Sequence, residues 1–402
     1  MDSAITTAAR ALRAGDPLGA LRYVALRSDP SALALRGIAL AQLGELATAR
    51  TLLRRAARAF GSAEPRSRAR CVIAEAEVAL AQRDLRATPG LDDAIRLLAR
   101  HADVANAALG RLIQVRRAVW LGRLDDAEAT LARLSLTGAP PRFVALAQLI
   151  RADIAIKRAR ARDAEQALAV ARDAAHAAQI PALRSEVEHA HARLALPAAR
   201  LVDGAQTRVL TLFELEALYG SPRLLLDLCR RELRRGRAVV SLVTRPLLLR
   251  LLEALAAAPE VPRDDLIAHV FGARRSNESH RVRLRVEIGR LRRLIAKHAA
   301  LDATATGYAL RPHSGALARL LPVEDGEASA LWALLQGGDA WATSGLAIAL
   351  GKSQRAVQRA LADLESEGKV RATGDGRARR WVAVSGTGFA TTLLLVAPGT
   401  LG

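Results

Sequence analysis

Cysteine, aromatic residues and lysine are all scarce in this chain of 402 residues. The two cysteines, Cys71 and Cys229, lie far apart in leucine- and alanine-rich surroundings. This usage excludes a disulfide framework and a clustered cysteine metal site, and it fits a reducing cytoplasm. Aromatics make up only 3% of the residues, whereas alanine, leucine and arginine are abundant. Because these three are good helix formers, the composition favours a mainly α chain of about two to four domains.

Long apolar runs and catalytic motifs are also missing. Nowhere do about eighteen apolar residues follow one another without a charge, and no early basic segment leads into an apolar run with a cleavage site. There is no phosphate-cradling glycine loop with its lysine, no G-x-S-x-G elbow and no H-E-x-x-H helix. His189 and His191 are two positions apart, a spacing that does not bring two ligands to one helix face. We therefore expect a cytoplasmic protein that is not an enzyme, avoids membranes and uses neither metal nor cofactor.

Positive charge is spread along the chain. Basic residues outnumber acidic ones by 31 to 20 in residues 1–200, by 20 to 12 in 201–313 and by 9 to 8 in 314–402. Nearly all of them are arginine, a bias that GC-rich coding also produces, so the net charge of +20 is by itself a weak indication of a nucleic-acid partner. Local density is more informative, because residues 279–297 carry seven basic residues against Glu287 alone.

Residues 1–197 repeat a small residue that is followed five positions later by alanine. The pairs are Gly15 and Ala20, Gly44 and Ala49, Gly122 and Ala127, and Ala159 and Ala164. Each pair lies in an amphipathic helix-turn-helix pattern, and we expect the small residues to let two helices approach closely.

One segment, GIALAQLGELATARTLLRRAARAF, has its small and bulky residues where a tetratricopeptide repeat has them. The matching positions are Gly37, Leu40, Ala49, Leu53 and Ala56. The segment resembles that family, which implies an α-solenoid over residues 1–197. Such a solenoid would bind a peptide, protein or small-molecule effector, or a second copy of the chain; a generic helical bundle is the alternative.

The pattern changes after Pro197. RVLTLFELEAL and GRAVVSLV contain valine and alternating apolar positions, which predict short strands, whereas LLLDLCRRELRRG between them looks helical. A leucine-rich helix follows over residues 245–257, and RDDLIAHVFG predicts a second helix. After the polar run ARRSNES comes a third, arginine-rich helix, and DATATGYALRP predicts a hairpin with Gly307 at its turn or bend.

This order over residues 205–313 resembles the winged-helix effector domain of the OmpR/PhoB response regulators. The motifs that carry the resemblance are RDDLIAHVFG for the second helix, IGRLRRLI at residues 288–295 for the recognition helix, and ATGYAL for the wing. The resemblance implies binding to double-stranded DNA. No phosphoacceptor receiver domain is recognisable upstream, and the loop before the third helix is short, so control by aspartyl phosphorylation is not expected.

Helical geometry assigns roles within the third helix. With Leu284 at the centre of the apolar face, steps of 100° place Val282, Val286, Gly289 and Arg293 on the opposite face, flanked by further arginines. Arginine can fork onto guanine or phosphate, valine can meet a thymine methyl group, and glycine permits a close backbone approach. The predicted DNA contacts of this helix are Arg281, Arg283, Arg285, Val286, Gly289, Arg290, Arg292 and Arg293. The alternative is an ordinary solvated face paired with nearby acids.

Residues 322–384 have a second pattern of three helices followed by a hairpin. EASALWALLQGG, WATSGLAIALG and KSQRAVQRALADLESEGKV predict three helices, and RATGDGRARRWVAV predicts two strands around a glycine-rich turn. Ser353 is suited to cap the third helix and Gly368 to end it. The segment resembles winged helices of the MarR and GntR type broadly. The predicted DNA contacts are Gln354, Arg355, Gln358, Arg359, Arg371, Arg377, Arg379 and Arg380; protein binding is the alternative for this domain.

The last predicted segment, 385–402, is an apolar tail that is too short to cross a bilayer and is expected to dock on another domain or subunit. Together these features predict a transcription regulator that binds DNA sequence-specifically through two winged helices. We expect a homodimer, with the repeat region controlling or oligomerising the molecule. A protein-interaction scaffold, with winged helices that bind proteins, is the alternative.

Overall fold

The computed structural model describes residues 2–82, 84–273, 276–323, 327–336, 340–374, 376 and 379–383. The described chain is mainly helical, with small sheets in its second half. It divides into two compact units: the first holds the chain up to Ala155 together with Asp163–Arg193, and the second holds Ile156–Arg162 and Leu194–Ala383. The predicted apolar tail, 385–402, lies outside the described residues.

Helices fill the first part of the chain. They are α1 (Ser3–Arg13), α2 (Pro17–Val24), α3 (Pro30–Gln42), α4 (Leu46–Phe60), α5 (Pro65–Ala81), α6 (Leu91–Arg100), α7 (Val104–Trp120), α8 (Leu124–Ala132), α9 (Pro141–Lys157), α10 (Ala161–Ala178) and α11 (Pro181–Ala192). Neighbours pack on one another as α1 with α2, α3 with α4, α5 with α6 and α7 with α8. Burial of Leu12, Leu35 and Leu53 among alanines forms the core of α1–α4.

The small residues of the repeated pairs have two separate roles. The second member of each pair, Ala20, Ala49, Ala127 or Ala164, is fully buried. The first member instead has a positive φ at the turn between helices, as at Gly15, Gly44, Gly122 and Ala159. A Cβ on Gly15 or Gly44 would meet nothing within 4 Å, so these residues serve the turn and not the helix crossing. Close approach is instead seen at Gly37, where a Cβ would lie 3.0 Å from Leu53 Cγ.

The second unit combines two sheets, a strand pair and further helices. Its strands are β1 (Pro197–Asp203), β2 (Gln206–Thr211), β3 (Leu224–Asp227), β4 (Glu232–Arg235), β5 (Ala238–Ser241), β6 (Val261–Pro262), β7 (Ala299–Ala303), β8 (Gly307–Pro312), β9 (Leu317–Leu321), β10 (Val370–Thr373) and β11 (Arg380–Ala383). Its helices are α12 (Leu212–Tyr219), α13 (Pro246–Ala257), α14 (Arg263–Phe271), α15 (Glu278–Ile295), α16 (Glu327–Gln336), α17 (Thr343–Leu350) and α18 (Gln354–Ser366).

The largest sheet has the strand order β2-β1-β9-β3-β4-β5. β9 runs parallel to β3 and antiparallel to β1, so the chain returns to this sheet after β8. Both β1 and β9 lie wholly outside residues 205–313, the range that the sequence predicted for this domain. A separate sheet of order β6-β8-β7 lies beside α13, α14 and α15.

Two sequence predictions are wrong in this sheet. LLLDLCRRELRRG is not helical but forms β3 and β4, which pair antiparallel from Leu224 with Arg235 to Asp227 with Glu232. The reversal uses Arg231, whose φ is +53°, and β3 is buried on both faces, which hides the strand alternation. RVLTLFELEAL is a strand only up to Thr211, because a capping box between Thr211 and Glu214 starts α12.

The helices α13, α14 and α15 share one apolar core. Leu251, Leu252, Leu266, Ile267 and the apolar face of α15 are all buried there. A second core, with Leu331, Leu346, Leu361 and Trp381, joins α16, α17 and α18 to β10 and β11. α17 also packs against α13, so the two cores lie side by side in this unit.

Candidate nucleic-acid interface

α15 begins at a side-chain cap and buries one face. Asn277 accepts a hydrogen bond from the amide of His280 at 2.9 Å. Leu284, Ile288, Leu291 and Ile295 are buried, as the apolar period predicted. The helix therefore has a fixed rotation, which determines the side chains that point away from the core.

The predicted outer face of α15 is open to solvent. Its arginines at positions 281, 283, 285, 290, 292 and 293 are exposed, Val282 and Val286 are half-exposed, and Gly289 is half-buried. A Cβ at Gly289 would meet nothing within 4 Å, so the chain itself does not require glycine at this position. Two apolar side chains and several cations thus share one exposed helix face.

Acidic neighbours pair with part of this face. Glu278 accepts a hydrogen bond from Arg285 at 2.7 Å and lies 3.9 Å from Arg281. Glu287 lies 2.8 Å from Arg290. Glu278 stands just before the basic stretch of residues 279–297, in which Glu287 is the single acid. Its pairing with the arginines follows from the start of α15 at Glu278, which the sequence pattern did not indicate. These pairs are solvent-exposed on the arginine side, where an ion pair is weak and exchanges readily.

The remaining arginines of α15 differ in their partners. Arg292 donates to the carbonyl of Leu301 through Nε at 2.9 Å and Nη2 at 2.7 Å, which ties the helix to β7. Arg283 lies over the Phe271 ring, 4.7 Å from its centroid. Arg293 makes a single long bond of 3.4 Å to the Gly289 carbonyl. Arg293 is therefore the most weakly held of the three.

The hairpin β7–β8 is fixed to the start of α14. Arg263 donates to the carbonyls of Thr304 at 2.9 Å and Ala305 at 2.8 Å. Glu260 accepts hydrogen bonds from the hydroxyls of Thr304 and Thr306, and these bonds lower the pKa of its carboxyl. The hairpin is thereby held against the first residue of α14 and the segment just before it.

Gly307 has a different role from the predicted turn position, because it begins β8 opposite Pro262. A Cβ there would lie 1.9 Å from the Val261 carbonyl oxygen. Only glycine lets β6 and β8 approach this closely.

α18 offers a second exposed basic face. Ser353 caps it by accepting a hydrogen bond from the amide of Ala356 at 3.2 Å, and Gly368 follows its end with a φ of +69°, both as predicted. Val357, Leu361 and Leu364 are buried. On the exposed side lie the four predicted residues Gln354, Arg355, Gln358 and Arg359, and no hydrogen bond or ion pair engages their side chains within the described chain.

The strands after α18 carry the remaining predicted contacts. Arg379 is exposed and lies 4.8 Å from the Trp381 ring centroid, whereas Arg371 and Arg380 are half-buried. Arg377 lies outside the described residues. Acidic Asp363 and Glu365 lie in the last turn of α18 and Glu367 directly follows it, so positive charge is concentrated in its first turns.

The second unit contains two modules, one built on the core of α13, α14 and α15 and the other on the core of α16, α17 and α18. They meet where Arg231 stacks on Trp341. The guanidinium carbon of Arg231 is 3.5 Å from the ring centroid, and Arg231 is only 1% exposed. The same side chain donates to the Val243 carbonyl at 3.1 Å. The backbone of Trp341 pairs with that of Trp381, so the stacked ring belongs to the core that supports α18.

Metal-binding and membrane-spanning arrangements are absent from the described residues. They contain no group of three histidine, cysteine or acidic side chains placed to hold a metal ion. None of their helices combines the length and apolar character that crossing a membrane requires.

Comparison with known proteins gives no relative for this chain: no family model, no curated protein and no solved structure matches it. Any function assigned to the chain therefore depends on its own residues and their geometry.

Proposed function

We infer that this protein is a sequence-specific DNA-binding transcription regulator. The observation that carries the proposal is the exposed face of α15, where arginines surround Val282 and Val286 and no domain core covers them. An α-helix fits the major groove, arginine reads guanine or holds phosphate, and an apolar side chain can meet thymine methyl groups. This mixture of cations and apolar side chains therefore matches the groups that a DNA major groove presents.

The order of elements supports a winged-helix interpretation. α13, β6, α14, α15 and the β7–β8 hairpin follow one another in the order of the OmpR/PhoB-type domain, with strands β3, β4 and β5 before them. α16, α17, α18 and the pair β10–β11 repeat a shorter version. In this proposal α15 and α18 are the two recognition helices, and the helices of residues 1–197 form a repeat array that senses an effector or joins two copies.

A protein-interaction scaffold is the second candidate. The ion pairs of Glu278 with Arg281 and Arg285, and of Glu287 with Arg290, favour it, because they show that carboxylates already satisfy part of the basic face. Any anionic partner must displace these carboxylates from the arginines. DNA must in addition accommodate the helix in its major groove, whereas an acidic protein partner need not.

Selection of duplexes from a random pool by the full chain, at physiological salt, tests the proposal. We expect one sequence to be enriched and bound at least about a thousandfold more tightly than random duplex. Arg285→Ala and Arg293→Ala should each weaken that complex by about 1 to 3 kcal/mol. Arg237→Ala, at an exposed arginine in the turn between β4 and β5, is the matched control and should leave it unchanged. Enrichment of no sequence, with equal binding of all duplexes, would favour the scaffold.

The same complex should respond to salt. Each phosphate contact contributes a slope of about −0.9 to the dependence of log affinity on log salt concentration. Arg359→Ala should flatten that slope if α18 binds DNA, and should leave it unchanged if α18 binds a protein.

A further inference from the structure

A groove opens beside α15 where the two modules of the second unit meet. Its volume is about 610 Å³, and its walls come from the start of α13, one flank of α15 and Ile348 of α17. Cavities of about 300 to 1,000 Å³ are typical of small-molecule sites. The groove is therefore large enough for a compact organic ligand, and α17, which contributes Ile348 to its wall, packs against α13.

The walls of the groove are apolar. Pro246, Leu247, Leu248, Leu294 and Ile348 line it, and Ile348 remains 42% exposed although it is a large aliphatic side chain. A DNA backbone presents mainly charged phosphates, which gain little from such walls, so the groove is a poor path for DNA. Burial of a hydrocarbon or aromatic ring system there would be favourable, because it removes apolar surface from water.

The polar groups at the groove are mostly cationic. Arg245, Arg290 and Arg293 line it together with a single acid, Glu287, and that acid is already paired with Arg290 at 2.8 Å. Within the described chain the guanidinium of Arg245 makes no hydrogen bond or ion pair, and Arg293 has only its long bond to Gly289. The groove therefore has unneutralised positive charge next to apolar walls.

We propose that this groove binds an amphipathic small-molecule anion, with an apolar body against Leu294 and Ile348 and a carboxylate, sulfonate or phosphate head on Arg245 and Arg293. Guanidinium groups bind such heads through paired hydrogen bonds. Because Arg290 and Arg293 also belong to the proposed DNA-binding face, ligand and duplex compete for them, and each weakens the binding of the other. The competition rests on the proposed function; ligand binding does not.

The direct test uses the full chain without DNA and the probe 8-anilinonaphthalene-1-sulfonate, an apolar arylsulfonate whose fluorescence reports binding. We expect saturable binding that Ile348→Glu and Arg245→Ala each weaken roughly tenfold, since one adds a negative charge to the wall and the other removes the cation. Val239→Glu is the matched control, because Val239 is 43% exposed and does not line the groove. Arg237→Ala is the control for the lost cation.

Absence of saturable binding would overturn the proposal, and so would equal affinity in the wild type and all four variants. A second titration adds the probe to the complex with the selected duplex, and release of the duplex in the wild type but not in Ile348→Glu would support competition. If the probe binds as expected and the duplex stays bound, the ligand site stands and the competition is rejected. If no duplex binds at all, the proposed function fails while the probe titration still decides the site.

Discussion

Single arginines hold this fold together at places where backbone carbonyls would otherwise lack partners. Arg263 donates to two carbonyls of the β7–β8 turn, and Arg250 donates to the carbonyls of His269 and Val270 at the end of α14. The planar guanidinium presents five donors in a fixed arrangement, so one side chain can serve two carbonyls. Nearly all basic residues of this chain are arginine. A count of basic residues therefore overstates the positive charge that is free to bind a partner.

Glu77 presents a contrast, because it is fully buried and neither carboxylate oxygen has a hydrogen bond. Burial raises the pKa of its carboxyl well above 4.5, although Arg116 and Arg142 act in the opposite direction. Because the pKa of Glu77 is raised in the folded state, its protonated carboxyl contributes stability that is fully present below about pH 4.5. This stability is lost as pH rises through the folded pKa.

We therefore expect Glu77→Met to raise the free energy of unfolding at pH 7 by about 1 to 3 kcal/mol, because it removes a buried polar group without a partner. The gain should shrink as pH falls towards about 4.5, where the wild-type carboxyl is protonated in both states. Thermal unfolding followed by circular dichroism at a series of pH values measures both effects. A loss of stability at pH 7 would mean that Glu77 is ionised in the fold and supports Arg116 and Arg142.

Two glycines near the proposed interface should respond in opposite ways to alanine. Gly307→Ala places a Cβ 1.9 Å from the Val261 carbonyl oxygen, so β6 and β8 must separate, at a cost of about 3 kcal/mol. Gly289→Ala meets nothing within 4 Å and improves helix propensity, and it should stabilise the chain by up to about 1 kcal/mol. Denaturant unfolding of both variants checks this. If Gly289 lets a DNA backbone approach, the stabilised Gly289→Ala variant should also bind the selected duplex less tightly.

At the scale of elements, local signals determined which parts of the sequence could be interpreted correctly. α15 and α18 have caps at Asn277 and Ser353 and a clear apolar period, so both helices and their outer faces could be predicted. β3 could not, because its four residues are all buried and show no alternation, and the turn to β4 depends on Arg231 at positive φ. The strand β9 and the groove at Ile348 depend on packing between distant segments, which no local pattern contains.

Adjacent arginines of α15 should separate support of the hairpin from recognition of DNA. Arg292→Ala removes two bonds to the Leu301 carbonyl and should lower stability by about 1 kcal/mol, with little change in the preferred DNA sequence. Arg293→Ala should leave stability unchanged within about 0.5 kcal/mol but relax the preference at one base pair. Unfolding curves and repeated duplex selection, made on both variants, distinguish these roles. Equal loss of sequence preference in both would show that Arg292 leaves β7 to contact DNA.

At the scale of the whole molecule, the two modules of the second unit are joined by packing as well as by chain. α17 lies on α13, and Arg231 stacks on Trp341 at 3.5 Å from the ring centroid. If α15 and α18 are recognition helices as proposed, holding them at a fixed separation would let them bind two adjacent sites as one, since the second binding event becomes intramolecular. The spacing between the two sites would then be set by the protein, and a duplex with altered spacing would bind through one helix alone.

Arg231→Gly tests whether this junction sets that spacing. Glycine readily adopts the φ of +53° found at this position, so the variant keeps the β3–β4 turn. It removes the side chain that stacks on Trp341 and donates to the Val243 carbonyl. We expect the affinity for the selected duplex to fall roughly tenfold, as the effective concentration of the second helix drops, while the affinity for a duplex carrying only the α15 site stays the same. The variant should also tolerate a change in spacing that the wild type does not. Equal losses on the full and shortened duplexes, together with a lower melting temperature, would mean that Arg231 supports the fold and not the spacing of the two helices.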